Sequence, residues 1–144
     1  VQSALSAATN RLAFPATLAR ALALKARLHE NLRPMYLQKD MDGLARICDD
    51  LIPPLCEAVR ELRETHRRLW HELYKPFGWE IIDLRYGGLL GRLESTRMRL
   101  LEFMSNPGQP LDELECEPYT ICSPEQWPDF GVTYAKASST GATF

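Results

Sequence analysis

Apolar residues recur every three or four positions through most of this chain, and this period constrains its fold more than any other feature. The period runs through residues 15–36, 44–73 and 79–104, with prolines and glycines near the breaks. A stripe at this spacing covers one face of a helix. The sequence therefore predicts an all-α fold, with three to four long helices in an antiparallel bundle and a short irregular or strand-like C-terminal tail.

Prolines and glycines also lie inside the periodic stretches. Pro34 is expected to kink or shorten the first helix, because proline lacks the backbone donor. Pro53 and Pro54 interrupt the second stretch, which predicts two helices or one sharply bent helix. Gly87 and Gly88 lie in the middle of the third, where glycine costs about 1 kcal/mol relative to alanine. We interpret these glycines as permitting a close contact between helices.

A length of 144 residues corresponds to about one domain. We divide the chain into a poorly ordered leader over 1–14, a helical bundle over 15–105, and a loop and tail over 106–144. Residues 111–117 have the character of a short helical turn and residues 132–136 that of a weak strand. Because a single strand needs a sheet edge to pair with, the tail is expected to pack on the bundle or on a missing partner domain.

Charge and hydropathy exclude two classes of partner. The net charge of −2 provides no general attraction to nucleic acid or to an anionic membrane. No run of eighteen apolar residues exists, and the first twenty residues lack the apolar core of a signal peptide. We therefore expect neither nucleic acid nor a membrane as a partner.

The cysteines favour a reducing compartment. Cys48 and Cys56 would lie about 12 Å apart on one helix, too far for a disulfide or a shared metal. No C-x-x-C pair occurs, so a structural zinc site is not expected. Four free thiols and a cytoplasmic protein are predicted, and a disulfide between Cys116 and Cys122 is the alternative.

The common catalytic motifs are absent. His29 and His71 each precede glutamate, but neither has the second histidine of H-E-x-x-H, and no G-x-S-x-G or phosphate-binding glycine loop occurs. Asp49 and Asp50 diverge by about 100° on a helix and cannot grip one substrate atom together. His66 lies on the apolar stripe and is interpreted as a hydrogen-bonded core or boundary histidine rather than a ligand. We predict no catalytic, cofactor or metal site.

Residues 74–89 hold the densest group of aromatic and charged side chains. One interpretation is a helix junction packed by its own aromatic rings. The other is a surface that docks on another domain, with oriented polar contacts. The candidate interface residues are Phe77, Trp79, Asp83, Arg85 and Tyr86.

The same block resembles a known family. Residues 75–93 read K-P-F-G-W-E-I-I-D-L-R-Y-G-G-L-L-G-R-L. They are similar to a segment that follows the catalytic barrel in a bacterial subgroup of β-N-acetylhexosaminidases, in glycoside hydrolase family 20. Softer similarity extends over about residues 18–138.

The resemblance implies a parent enzyme that releases terminal N-acetylhexosamine from glycans, with an adjacent Asp-Glu pair on its barrel. Such a barrel needs about 250 residues. Asp112-Glu113 follows a proline-rich turn and is not assigned that role. The resemblance thus implies a non-catalytic C-terminal helical domain that braces the (β/α)8 barrel or mediates a homodimer.

Two other functions fit the residues alone. One is an independent ligand-binding helical module, with a pocket lined by Trp70, Tyr74, Trp79 and Tyr86. The other is a protein-interaction module that binds partner helices.

Overall fold

The computed structural model describes the backbone of residues 2–115 and the side chains of residues 12–115. It contains α1 (Gln2–Leu37), α2 (Met41–Arg46), a π-helical segment (Ile47–Leu51), α3 (Ile52–Leu73), α4 (Trp79–Ser105) and α5 (Asp112–Glu115). No strand occurs between residues 2 and 115, so the all-α prediction is confirmed. Within that range, no helix is long and apolar enough to cross a membrane.

The long helices alternate in direction. Arg20 of α1 pairs with Glu61 of α3 at 2.8 Å, whereas Phe14, earlier in α1, contacts His66, later in α3. His66 also contacts the first turn of α4 at Trp79, while Arg60, earlier in α3, reaches later in α4. The predicted antiparallel bundle is therefore present, with α3 packed between α1 and α4.

The core follows the apolar stripe of α3. Ile52, Leu55 and Val59 are almost completely buried. Leu32 of α1 and Leu100 of α4 belong to the same core. Burying each such side chain stabilises the fold by about 1.5–3 kcal/mol.

The first helix begins earlier than predicted. Its backbone is helical from Gln2, not from residue 15. Residues 2–14 carry no apolar stripe, but they are rich in alanine, which has the highest helix propensity. The helix also continues past Pro34 to Leu37. The proposed division into leader, bundle and tail remains a prediction.

The interruption at Pro53 takes the form of a π-helical segment. The amide of Ile52 donates to the carbonyl of Ile47, one residue further back than in an α-helix. Pro53 has no amide hydrogen to give to the next carbonyl, that of Cys48. Arg97 of α4 supplies the missing donor, with its Nε 2.8 Å from that oxygen. The proline thus creates an orphan acceptor, and α4 satisfies it.

The predictions about the cysteines and the tail can be compared with the structure only in part, because some of their residues lie outside the described range. Cys48 and Cys56 are free and buried, and burial raises the pKa of both thiols. The short helical turn expected over 111–117 is observed as α5. Cys116, Cys122 and the strand-like segment 132–136 lie outside the described residues.

Candidate functional site

The turn between α3 and α4 has a defined shape. Tyr74 ends α3 in an extended conformation, and Gly78 precedes α4 with a φ of 90° that side chains rarely tolerate. The indole Nε1 of Trp70 donates to the carbonyl of Lys75 at 3.1 Å. Glu80 accepts from the amide of Gly78 at 3.0 Å. These contacts hold the turn in one conformation at the end of the bundle.

Two of the predicted interface residues face the inside of the bundle. Trp79 is buried and Tyr86 is half-buried, and both rings stand edge-on to His66, at 5.4 and 6.0 Å between centroids. The Tyr86 hydroxyl lies 3.0 Å from Nδ1 of His66. Phe14 of α1 closes the cluster at 4.6 Å. Trp79 and Tyr86 therefore join α1, α3 and α4 to one another.

The spacing of these aromatic residues carries a signal that the prediction did not use. Trp79, Tyr86, Leu93 and Leu100 follow one another at intervals of seven, and the last two are core residues. Residues seven apart lie on nearly the same face of a helix.

Asp83 also serves the fold. Arg63 of α3 grips its carboxylate with two hydrogen bonds, of 2.6 and 3.1 Å. These hydrogen bonds, with the guanidinium charge, lower the pKa of Asp83. Arg85 lies on another face, is exposed, and makes no ion pair with a described residue.

Phe77 is the predicted interface residue that remains available as an apolar contact, with 81% of its surface exposed. Outside α4, three other exposed apolar residues lie at the same end of the bundle: Leu73 and Tyr74 beside it, and Leu12 near Phe14 on α1. We call Leu12, Leu73, Tyr74 and Phe77 the end surface. A folded protein gains nothing from exposing such side chains together, so the end surface is a candidate for docking.

Gly87 and Gly91 of α4 do not pack against another helix of the described residues. A Cβ built at Gly87 would meet no described atom within 4 Å, and the same holds at Gly91, so the close contact predicted at Gly87 is wrong within the described residues. Gly87 and Gly88 instead line an open groove of about 610 Å³ beside Leu84. At Gly87 and Gly91, therefore, the low helix propensity of glycine is not offset by packing against the described residues.

The aromatic residues of the alternative ligand pocket contact one another. Trp70 lies 4.8 Å from Tyr74 and 6.3 Å from Trp79 between ring centroids. The ring of His66 lies against Trp70, Trp79 and Tyr86. These rings therefore pack against one another as a cluster.

The described acidic residues form no metal-binding cluster, and the two with shifted pKa values do not suit acid catalysis. Among the described side chains, no group of three or more His, Cys, Asp or Glu could hold a metal ion. Hydrogen bonding from Arg67 lowers the pKa of Glu64, as Arg63 does for Asp83. A general acid needs a raised pKa, so both shifts are in the wrong direction.

Comparison with known proteins supports the resemblance. A search of curated protein sequences gives no significant match. A family model described as the Glycoside Hydrolase 20C C-terminal domain matches residues 1–129. Together with the helical architecture, this match shows that the chain belongs to the family of glycoside hydrolase 20C C-terminal domains.

Proposed function

We propose that this chain is a non-catalytic helical domain that braces the catalytic (β/α)8 barrel of a family 20 β-N-acetylhexosaminidase. Membership of the family implies a catalytic domain in the parent protein. That enzyme would remove terminal N-acetylhexosamine from glycans, and the helical domain would stabilise it without contributing catalytic groups.

The main support for this proposal is the position of the end surface. Its four apolar residues are exposed at the end of the bundle where α1 starts, because Leu12 precedes Phe14 and Phe14 contacts His66 near the end of α3. In a C-terminal domain, the catalytic domain comes before α1. The apolar end and the connection to the barrel would therefore be on the same side. Burying Phe77 alone would contribute about 1.5–3 kcal/mol.

The test compares two substitutions in the full-length parent enzyme. Phe77→Asp should lower the temperature at which hydrolysis of a chromogenic N-acetylhexosaminide is lost. Leu22→Asp is the matched control, because Leu22 is also exposed but lies further along α1. Both variants should leave the thermal unfolding of the 144-residue chain unchanged. Equal inactivation temperatures for the two enzyme variants would contradict the proposal.

A further inference from the structure

The outer side of α4 carries a second exposed stripe. Its residues follow alternating steps of three and four: Ile81, Leu84, Gly88, Gly91, Ser95 and Met98. Ile81, Leu84 and Met98 are 58%, 76% and 60% exposed. We call these six residues the α4 face. They correspond to the a and d positions of a heptad repeat, the positions through which two helices pair.

The composition of the α4 face suits the close approach of another helix. Gly88 and Gly91 at its centre have no side chain to hold a partner helix away. The groove beside Leu84, Gly87 and Gly88 leaves room for an incoming side chain. The face spans under three heptads, which is short for isolated helices. Here, however, the bundle already holds α4 in place, so pairing would not have to fold the helix.

The flanking charges identify the partner. In the same heptad, Glu80 and Glu94 occupy g positions, while Arg85, Arg92 and Arg99 occupy e positions. In a parallel pair of helices, each g position faces the e position five residues further along the partner. Glu80 would then face Arg85 of a second copy, and Glu94 would face its Arg99. An antiparallel pair would place arginine against arginine instead.

The charged side chains can reach these contacts. Glu80 accepts the Gly78 amide through Oε2, which leaves its Oε1 for an arginine. Arg85 has no ion pair with a described residue. Glu94 reaches Arg60 at 3.5 Å and Arg99 reaches Glu113 at 2.7 Å, but all four side chains are substantially exposed. Exposed ion pairs are worth about 0–1 kcal/mol, so exchanging them for contacts across an interface costs little.

We propose that the α4 face binds the α4 face of a second copy of this chain, with the two helices parallel. The contact is independent of the end surface, so it does not rest on the proposed bracing of a barrel. Because the same surface meets itself, the interface has two-fold symmetry.

Sedimentation velocity of the 144-residue chain over a range of concentrations tests the pairing. A dimer is expected, and Leu84→Glu should raise its dissociation constant at least tenfold. Leu22→Glu is the matched control on α1 and should leave the dimer intact. Circular dichroism should show that both variants stay folded. A chain that remains monomeric at all concentrations would overturn the proposal and leave the face to the barrel or to another segment of the chain.

Cross-linking and charge exchange test the orientation. In a parallel pair, Ser95 faces Ser95 of the second copy, so Ser95→Cys should form a disulfide-linked dimer in a Cys116→Ser, Cys122→Ser background. The background protein without the new cysteine is the control. Arg85→Glu should weaken the dimer, and adding Glu80→Arg should restore it. A dimer that does not cross-link in Ser95→Cys, or whose dissociation constant does not change with the charge substitutions, would exclude the parallel arrangement.

Discussion

His66 shows how one residue can join three helices. Its ring contacts Phe14 of α1 and Trp79 and Tyr86 of α4, and its Nδ1 shares a hydrogen bond with the Tyr86 hydroxyl. Burial in this aromatic cluster lowers the pKa of the imidazole, since the charged form loses its hydration. The apolar stripe indicates a core or boundary histidine, and Trp70 follows it by one turn on α3. The other aromatic neighbours come from α1 and α4 and could not be predicted from local spacing.

This environment predicts a pH dependence of stability. The folded pKa lies below the ordinary value of about 6.5, so between the two values the unfolded chain binds more protons. The contribution of His66 is complete above about pH 6.5 and is lost as the pH falls through its folded pKa. We expect the free energy of unfolding, measured in urea at several pH values, to decrease less steeply below pH 6.5 in His66→Gln.

His29→Gln provides the control, because His29 is exposed on α1. It should keep the wild-type dependence on pH. If His66→Gln and the wild type lose stability in parallel as the pH is lowered, burial of the neutral imidazole is not the cause.

At the scale of elements, local signals determined how well each boundary could be predicted. The start of α4 at Trp79 follows from Pro76 and Gly78, and its end follows from Asn106 and Pro107. The start of α1 was not predicted, because its first turns have no apolar periodicity and form through the helix propensity of their residues. The π-helical segment was not predicted, because its register depends on which side chains the other helices bury.

Because core burial sets the register of the π-helical segment, the outcome of replacing Pro53 can be predicted. Pro53→Ala supplies one amide donor, worth about 0.5–1.5 kcal/mol net. Using it to form a regular α-helix would remove one residue from the turn and rotate α2 by about 100°. The rotation would expose Leu44 and Cys48, which have no exposed surface in the structure. Burial of a large apolar residue is worth about 1.5–3 kcal/mol, so we expect the π-helical segment to persist.

Thiol labelling measures this outcome. In a Cys116→Ser, Cys122→Ser background, Cys48 should stay as unreactive in Pro53→Ala as in the parent sequence. Labelling in urea gives the rate for accessible thiols. If Cys48 in the folded variant approaches that rate, hydrogen bonding rather than core burial selects the register.

At the scale of the whole molecule, the surfaces were harder to predict than the helices. The sequence indicated a candidate interface in residues 74–89. In the structure, some of the candidate residues face the core and others face the solvent. Trp79 and Tyr86 face the core, whereas Phe77 and Arg85 face outward. Aromatic and charged residue types indicate contact but not its direction. The direction depends on how α1 and α3 cover α4, which only the assembled bundle shows.

The same whole-molecule view predicts that the purified chain does not hydrolyse a chromogenic N-acetylglucosaminide. The resemblance implies that the parent enzyme uses an adjacent Asp-Glu pair, in which the glutamic acid donates a proton. Asp112-Glu113 is such a dipeptide, but Glu113 lies on the surface in an ion pair with Arg99 at 2.7 Å. The carboxyls of Glu64 and Asp83 have lowered pKa values because arginines bind them. Neither of these two carboxyls resembles a proton donor that burial keeps neutral.

The assay compares the chain with the full-length parent enzyme at equal molarity, and we expect turnover from the enzyme alone. Glu113→Gln makes the comparison decisive. Hydrolysis that scales with the concentration of the purified chain and disappears in Glu113→Gln would mean that this dipeptide is catalytic after all. Hydrolysis unaffected by the substitution would come from another group or from a contaminating enzyme, which a second purification would separate from the chain.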